Sequence, residues 1–155
     1  VWNQNKASFN AKNNTTVTGM QYKAAEGFTL AFQNGWEKEA YTNGKIWQVA
    51  TLRPGKYRLE VTYAYTMVVS DAGNFISALM AKGNSESDIP NVADIEQLNG
   101  VCAIYDKAGT NDDSGVLVTP SFEVTETTDV VIGFLTSLAK GNSYFKVTEL
   151  KLILE

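Results

Sequence analysis

From Lys56 to Tyr63 the chain alternates without a break. Tyr57, Leu59, Val61 and Tyr63, and Tyr65 beyond them, fall on one parity; Arg58, Glu60 and Thr62 fall on the other. A period of two puts one face of a β-strand into a core. The preceding run Ile46-Trp47-Gln48-Val49-Ala50-Thr51-Leu52 is also of strand length, and Arg53-Pro54-Gly55 joins the two. Pro followed by Gly supplies a fixed φ and then a residue tolerant of positive φ, as a type II turn requires. The unit therefore reads as a β-hairpin that sets register for what surrounds it.

The rest of the chain carries the same punctuation. Apolar or alternating segments at 28–33, 45–52, 56–69, 75–82, 101–105, 115–124, 129–138 and 144–154 are separated by Gly, Asn, Asp and Pro clusters, which is the pattern of an all-β fold. Eight strands suit an antiparallel double-sheet sandwich. In the last segment Phe145 and Val147 share one parity and Leu150, Leu152 and Leu154 the other, so a β-bulge near Thr148-Glu149 is needed for both sets to point inward. One short helix is expected near 92–98, between Pro90 and the stop signal Asn99-Gly100. Nothing offers the series of longer helices that a parallel α/β fold needs. Residues 1–16 form a polar, Asn-rich lead-in with Trp2 and Phe9 as apolar anchors, and no internal repeat or composition shift marks a second domain. The expectation is one domain spanning 1–155.

Composition narrows function by exclusion. Of 155 residues 44% are hydrophobic and 19% charged, a globular balance with no apolar run of membrane-spanning length. The formal charge is −4, with 13 basic residues scattered singly, whereas a nucleic-acid partner calls for a basic patch. There is no histidine, which removes the commonest general base, the Ser/His and Cys/His nucleophile pairs and imidazole zinc sites. The single cysteine, Cys102, allows no internal disulfide and reads as a small buried hydrophobe within Val101–Tyr105. Phosphate loops and nucleophile elbows are absent, and the chain reads as a non-enzyme. It begins at Val1 without an initiator Met, so any signal segment or upstream domain is expected to lie outside it.

Three sets of residues could carry chemistry. The aromatics Trp36, Tyr41 and Trp47 lie in or beside the Gly-flanked polar stretch 34–44, with Glu37 and Asn43 among them. Exposed rings bordered by polar groups make a platform on which sugar rings stack; the alternative is that the same rings seal one end of the sandwich. Among carboxylates, Glu37, Glu39, Asp112, Asp113, Glu123 and Glu126 could supply the facing pair of a glycoside hydrolase, although Asx-Gly clusters between strands usually serve turns. The tract around Asn111, Asp113 and Gly115 imitates a fragment of a calcium loop without its closing Glu.

The run from Lys45 to Tyr57 resembles the Q-x-V-x-L-x-x-G-x-Y hairpin of galactose-binding-like jelly rolls, a group that includes carbohydrate-binding modules. Ser143-Tyr144-Phe145-Lys146-Val147-Thr148-Glu149-Leu150-Lys151-Leu152 resembles their closing strand, which returns beside the first. With Asn34-Gly35-Trp36, the pattern is similar to uncharacterised domains of this fold at the C-terminal ends of surface lipoproteins in Bacteroidetes. The resemblance implies a jelly roll outside the cytoplasm, on a cell surface or secreted, joined to other domains of its chain and holding a poly- or oligosaccharide without catalysis. The calcium site of such folds, where present, would use a carboxylate near the last strand, and Glu149 is the matching position.

Overall fold

The computed structural model describes residues 1–8, 11–12, 15–16, 19–23, 27–34, 40–68, 73–98, 101–106, 113–139 and 143–155. Among these residues thirteen strands run in chain order: β1 (Asn3–Gln4), β2 (Ala11–Lys12), β3 (Thr15–Thr16), β4 (Gly19–Lys23), β5 (Gly27–Asn34), β6 (Tyr41–Leu52), β7 (Gly55–Thr66), β8 (Phe75–Lys82), β9 (Cys102–Ile104), β10 (Asp113–Val118), β11 (Phe122–Val124), β12 (Thr128–Leu138) and β13 (Ser143–Leu154). A five-stranded sheet has the order β1-β6-β12-β8-β9. A six-stranded sheet has the order β10-β7-β13-β5-β4, with β11 also pairing with β7; β2 and β3 pair with each other. Every pairing is antiparallel. This is the expected antiparallel β-sandwich, a jelly roll, and its closing strand β13 lies against β5, the first strand read from the sequence.

The inward parity of each strand fills the space between the sheets. Ile46, Ile76, Ala78, Phe134 and Leu138 from one sheet meet Leu30, Phe32, Val61, Tyr63, Phe145 and Val147 from the other. Nearer the opposite end, Leu52, Met80, Val130 and Ile132 meet Tyr57, Leu59, Phe122 and Val124. Trp2, from the lead-in, closes onto Phe134 with ring centroids 6.2 Å apart.

The segments on either side of Pro54-Gly55 are the strands expected, but they do not form a hairpin. β6 belongs to the five-stranded sheet and β7 to the six-stranded one. The chain turns a corner between sheets, so that Leu52 and Tyr57 face each other across the core instead of pairing along an edge. Alternation shows that one face is buried; it does not name the strand that supplies the hydrogen bonds. Gly55 has no positive φ, and the type II expectation fails with the hairpin. A Cβ at Gly55 would instead come within 2.8 Å of Leu154 Cδ1.

Two bulges reset parity among the described residues of the six-stranded sheet. The one expected near Thr148 is present: β13 pairs Val147 with Tyr63 and Glu149 with Thr62, which skips Thr148. Leu150 then packs into the core, whereas Leu152 and Leu154, on the same parity, stay exposed. The second bulge was not legible. β10 pairs Gly115 with Tyr63 and Asp113 with Thr66, so β7 holds one residue more than its partner over Ala64-Tyr65. Tyr65 takes φ +54, Thr66 claims the inward position, and Tyr65 turns out to solvent.

The expected short helix exists as a 3₁₀ turn over Val92–Gln97, preceded by another over Glu86–Asp88. Together they form a strap across the outer face of the five-stranded sheet. Ile89, Val92, Ile95 and Leu98 pack there against Trp47, Leu79, Ala81, Val131 and Leu135. At the start of the strap Gly83 has φ +128, and any Cβ there would collide with the Asp88 side chain; Asp88 Oδ2 accepts from the Asn84 and Ser85 amides at 2.9 and 3.0 Å. Cys102, on the edge strand β9, is half-buried instead of fully buried, and burial raises its thiol above the ordinary range. No helix among the described residues is long and apolar enough to cross a membrane.

Candidate functional site

Of the five residues expected to contact a ligand, the structure describes three, and it uses each for support. Trp47 points from β6 into the cluster under the strap and is 8% exposed. Tyr41 is 9% exposed in the main core, its hydroxyl 3.0 Å from Thr136 Oγ1; burial raises this hydroxyl above its ordinary range, only partly offset by the Thr136 contact. Asn43 has φ +53, and its Oδ1 accepts from the Val92 amide at 2.9 Å, holding the strap. The expected exposed platform is therefore corrected at Tyr41 and Trp47: large rings adjoining a strand sequence gain more by burial than by exposure. Trp36 and Glu37 lie outside the described residues.

Of the carboxylate and metal sets, the structure describes Asp113, Glu123, Glu126 and Glu149. Glu37, Glu39, Asn111 and Asp112 lie outside the described residues. Asp113 sits across from Thr66 and Glu123 across from Lys56, opposite ends of β7 and about 33 Å apart at strand rise. Asp113 accepts from the Tyr105 hydroxyl at 2.6 Å; burial and this carboxylate both raise the phenol above its ordinary range, so it stays a donor. Glu149 is on the other side of β7, four residues along it from Asp113's partner, and pairs with Lys151 Nζ at 3.1 Å. Asp113 and Glu149 thus cannot share an ion, and no cluster of three or more metal-ligating side chains occurs among the described residues.

What the described residues do present is an exposed aromatic ring. On the outer side of the six-stranded sheet, Tyr65 of β7 stands 48% exposed. Beside it Lys146 of β13 is itself buried, with its Nζ 5.9 Å from the Tyr65 ring centroid and 5.7 Å from that of Tyr144. A lysine within about 6 Å of an aromatic face is attracted to it, so Lys146 acts as a pillar that steadies both rings. Thr66, fully buried, fixes the bulge below: its Oγ1 accepts from the Lys146 amide at 3.3 Å and lies 3.4 Å from the Ala64 carbonyl. An aromatic residue at positive φ costs on the order of 1–2 kcal/mol, and such strain clusters at binding sites. The result is a half-exposed ring with a phenolic hydroxyl, able to stack on an apolar surface and hydrogen-bond at its edge.

Sequence reasoning passed over these residues. Tyr144 and Lys146 were within reach, because they have the parity opposite to Phe145 and Val147. Tyr65 was not, because no residue type near it signals an αL bulge.

The fold falls in the class of jelly-roll β-sandwiches. A solved structure of TmCBM61 in complex with β-1,4-galactotriose superposes with a TM-score of 0.59 at 13% identity, over 99% of this chain and 88% of that one. Residues 1–133 match the family described as Domain of unknown function (DUF5013), and the chain belongs to that family. No curated protein matches it in sequence.

Proposed function

We propose that this chain is a non-catalytic carbohydrate-binding module of a cell-surface or secreted protein, and that Tyr65 and Tyr144 receive a poly- or oligosaccharide on the open face of the six-stranded sheet. The observation that carries the reading is Tyr65: an exposed aromatic ring on a strained bulge, braced by a buried lysine. A sugar ring offers an apolar C–H face to such a ring and hydroxyls to its edge. The likeness to a module solved with β-1,4-galactotriose supports the ligand class. Trp36 and Glu37 remain proposed contacts.

Calorimetric titration with a panel of oligosaccharides that includes β-1,4-galactotriose tests this. Tyr65→Ala is expected to weaken binding about tenfold, the worth of one aromatic contact, with Trp36→Ala measured beside it. If no saccharide binds, or binding is indifferent to Tyr65→Ala, the reading is wrong. A second reading, a protein-interaction domain, has its own observation: Val116 and Val118 are 54% and 51% exposed on β10, the last strand in its sheet, where strand edges recruit partners.

A further inference from the structure

The end of the sandwich away from Tyr65 carries a cleft that the proposed face does not use. Ala81 and Lys82 at the end of β8, Leu98 after the second 3₁₀ turn, and Ser121, Phe122 and Glu123 at the start of β11 enclose about 440 Å³, within the range of small-ligand sites. β8 and β11 belong to different sheets, so the cleft straddles the gap between the two layers. Phe122 pairs with Tyr57, eight residues along β7 from Tyr65, which sets the two places about 26 Å apart at strand rise.

The walls are of two kinds. Ala81 and Phe122 are buried and Leu98 half-buried, giving an apolar floor, while Lys82, Ser121 and Glu123 are exposed at the rim. Nearby charged groups satisfy one another: Arg58 reaches Glu60 at 3.0 Å and Glu155 at 3.2 Å, and Ser121 Oγ donates to Glu155 at 2.7 Å. Among the described residues the side chains of Lys82 and Glu123 make no such contact. Lys56 lies directly across the register from Glu123, yet no ion pair forms between them. One free donor and one free acceptor therefore border a single apolar floor.

We infer that this cleft is a second saccharide site, selective for neutral sugars and sized for about two rings. The inference rests on the carbohydrate-binding reading. The C–H face of a pyranose packs on Phe122, Ala81 and Leu98, hydroxyls donate to the Glu123 carboxylate, and a hydroxyl oxygen accepts from the Lys82 ammonium. A sugar acid loses at Glu123 what it gains at Lys82, and an amino sugar does the reverse, so a neutral ring fits both walls. Two sites on one module let a polymeric glycan bind with avidity that neither site has alone.

The test is amide-shift mapping by NMR on the full chain, with β-1,4-galactotriose and cellotriose as neutral probes and a galacturonic acid trimer as the charged one. A neutral probe is expected to shift residues 81–82 and 121–123 saturably. These shifts should persist in Tyr65→Ala and weaken about tenfold in Lys82→Ala and in Glu123→Ala, the size of one charge-assisted hydrogen bond lost. Both side chains are exposed, and an unchanged melting temperature shows that each variant folds. Shifts confined to the surroundings of Tyr65 and Tyr144 overturn the second site and leave the first standing. Tighter binding of the galacturonic acid trimer overturns the neutral class, and no shift with any probe overturns both sites.

Discussion

The two outer faces of the sandwich begin from the same alternation and end differently. On the five-stranded sheet the outward parity is apolar, with Trp47, Leu79, Ala81, Val131 and Leu135, and the strap of 3₁₀ turns covers it. Lys45 lies buried on this face and donates to the Ile89 carbonyl at 2.6 Å, tying the strap from below. On the six-stranded sheet the outward parity is polar along Arg58, Glu60, Thr62 and Thr148, and among the described residues no comparable apolar cluster lies over it; at its end stand Tyr65, Tyr144 and Lys146. Covered rings hold the fold together, and the uncovered ring is available to a ligand. Tryptophan and tyrosine have different roles here because of the layer above them, not because of their own chemistry.

The sharpest way to break this comparison is on the covered face. Trp47→Ala removes a buried ring between sheet and strap and should destabilise the protein by about 3–5 kcal/mol, read from denaturant unfolding. A cost below about 1 kcal/mol would mean the strap does not pack as described. On the open face the sign should reverse. Tyr65→Gly relieves the positive φ and exposes no core, so stability should stay level or rise by about 1 kcal/mol while saccharide binding is lost. A drop in stability would place Tyr65 among the supporting residues instead.

The smallest effects concern pH. Hydrogen bonds from Ser85 hold Asp88 below the ordinary carboxylate range, those from Thr51 and Asn84 do the same for Asp129, and those from Ser121 and Arg58 for Glu155. Depressed carboxylates contribute stability above their unfolded pKa that is lost as pH falls through the folded one, so the melting temperature should decline below about pH 4. The buried phenols of Tyr41 and Tyr105 run the other way, and the stability they lend should fade as pH rises past about 10. No histidine intervenes; a melting curve repeated across pH 5 to 8 should show little change.

Much of the architecture was legible in advance. The segments at 75–82, 129–138 and 144–154 stand almost where they were read, and so does the bulge at Thr148, because Phe145 and Val147 cannot point inward together with Leu150 without it. What alternation left open was partnership. Ile46–Leu52 and Lys56–Tyr63 each show one buried face, and that evidence is the same for a hairpin and for a corner between sheets; the distinction lies in hydrogen bonds made by residues more than 40 positions away. The site was less legible for a related reason. Trp47 and Asn43 were read as contacts because their neighbours are polar, but the strap that buries one and uses the other arrives from 40 to 50 residues further on.

By itself, then, the amino-acid order determined a histidine-free, all-β chain whose strands bury one face each, since side-chain period and turn residues are local properties. The tertiary structure alone decided which strands pair, which outer face is covered and that Tyr65 turns outward. Each of these depends on contacts between residues far apart in the chain: β10 and the Met67–Tyr144 bridge hold β7 in a register that leaves it one residue too long, and the extra residue has nowhere to go but out.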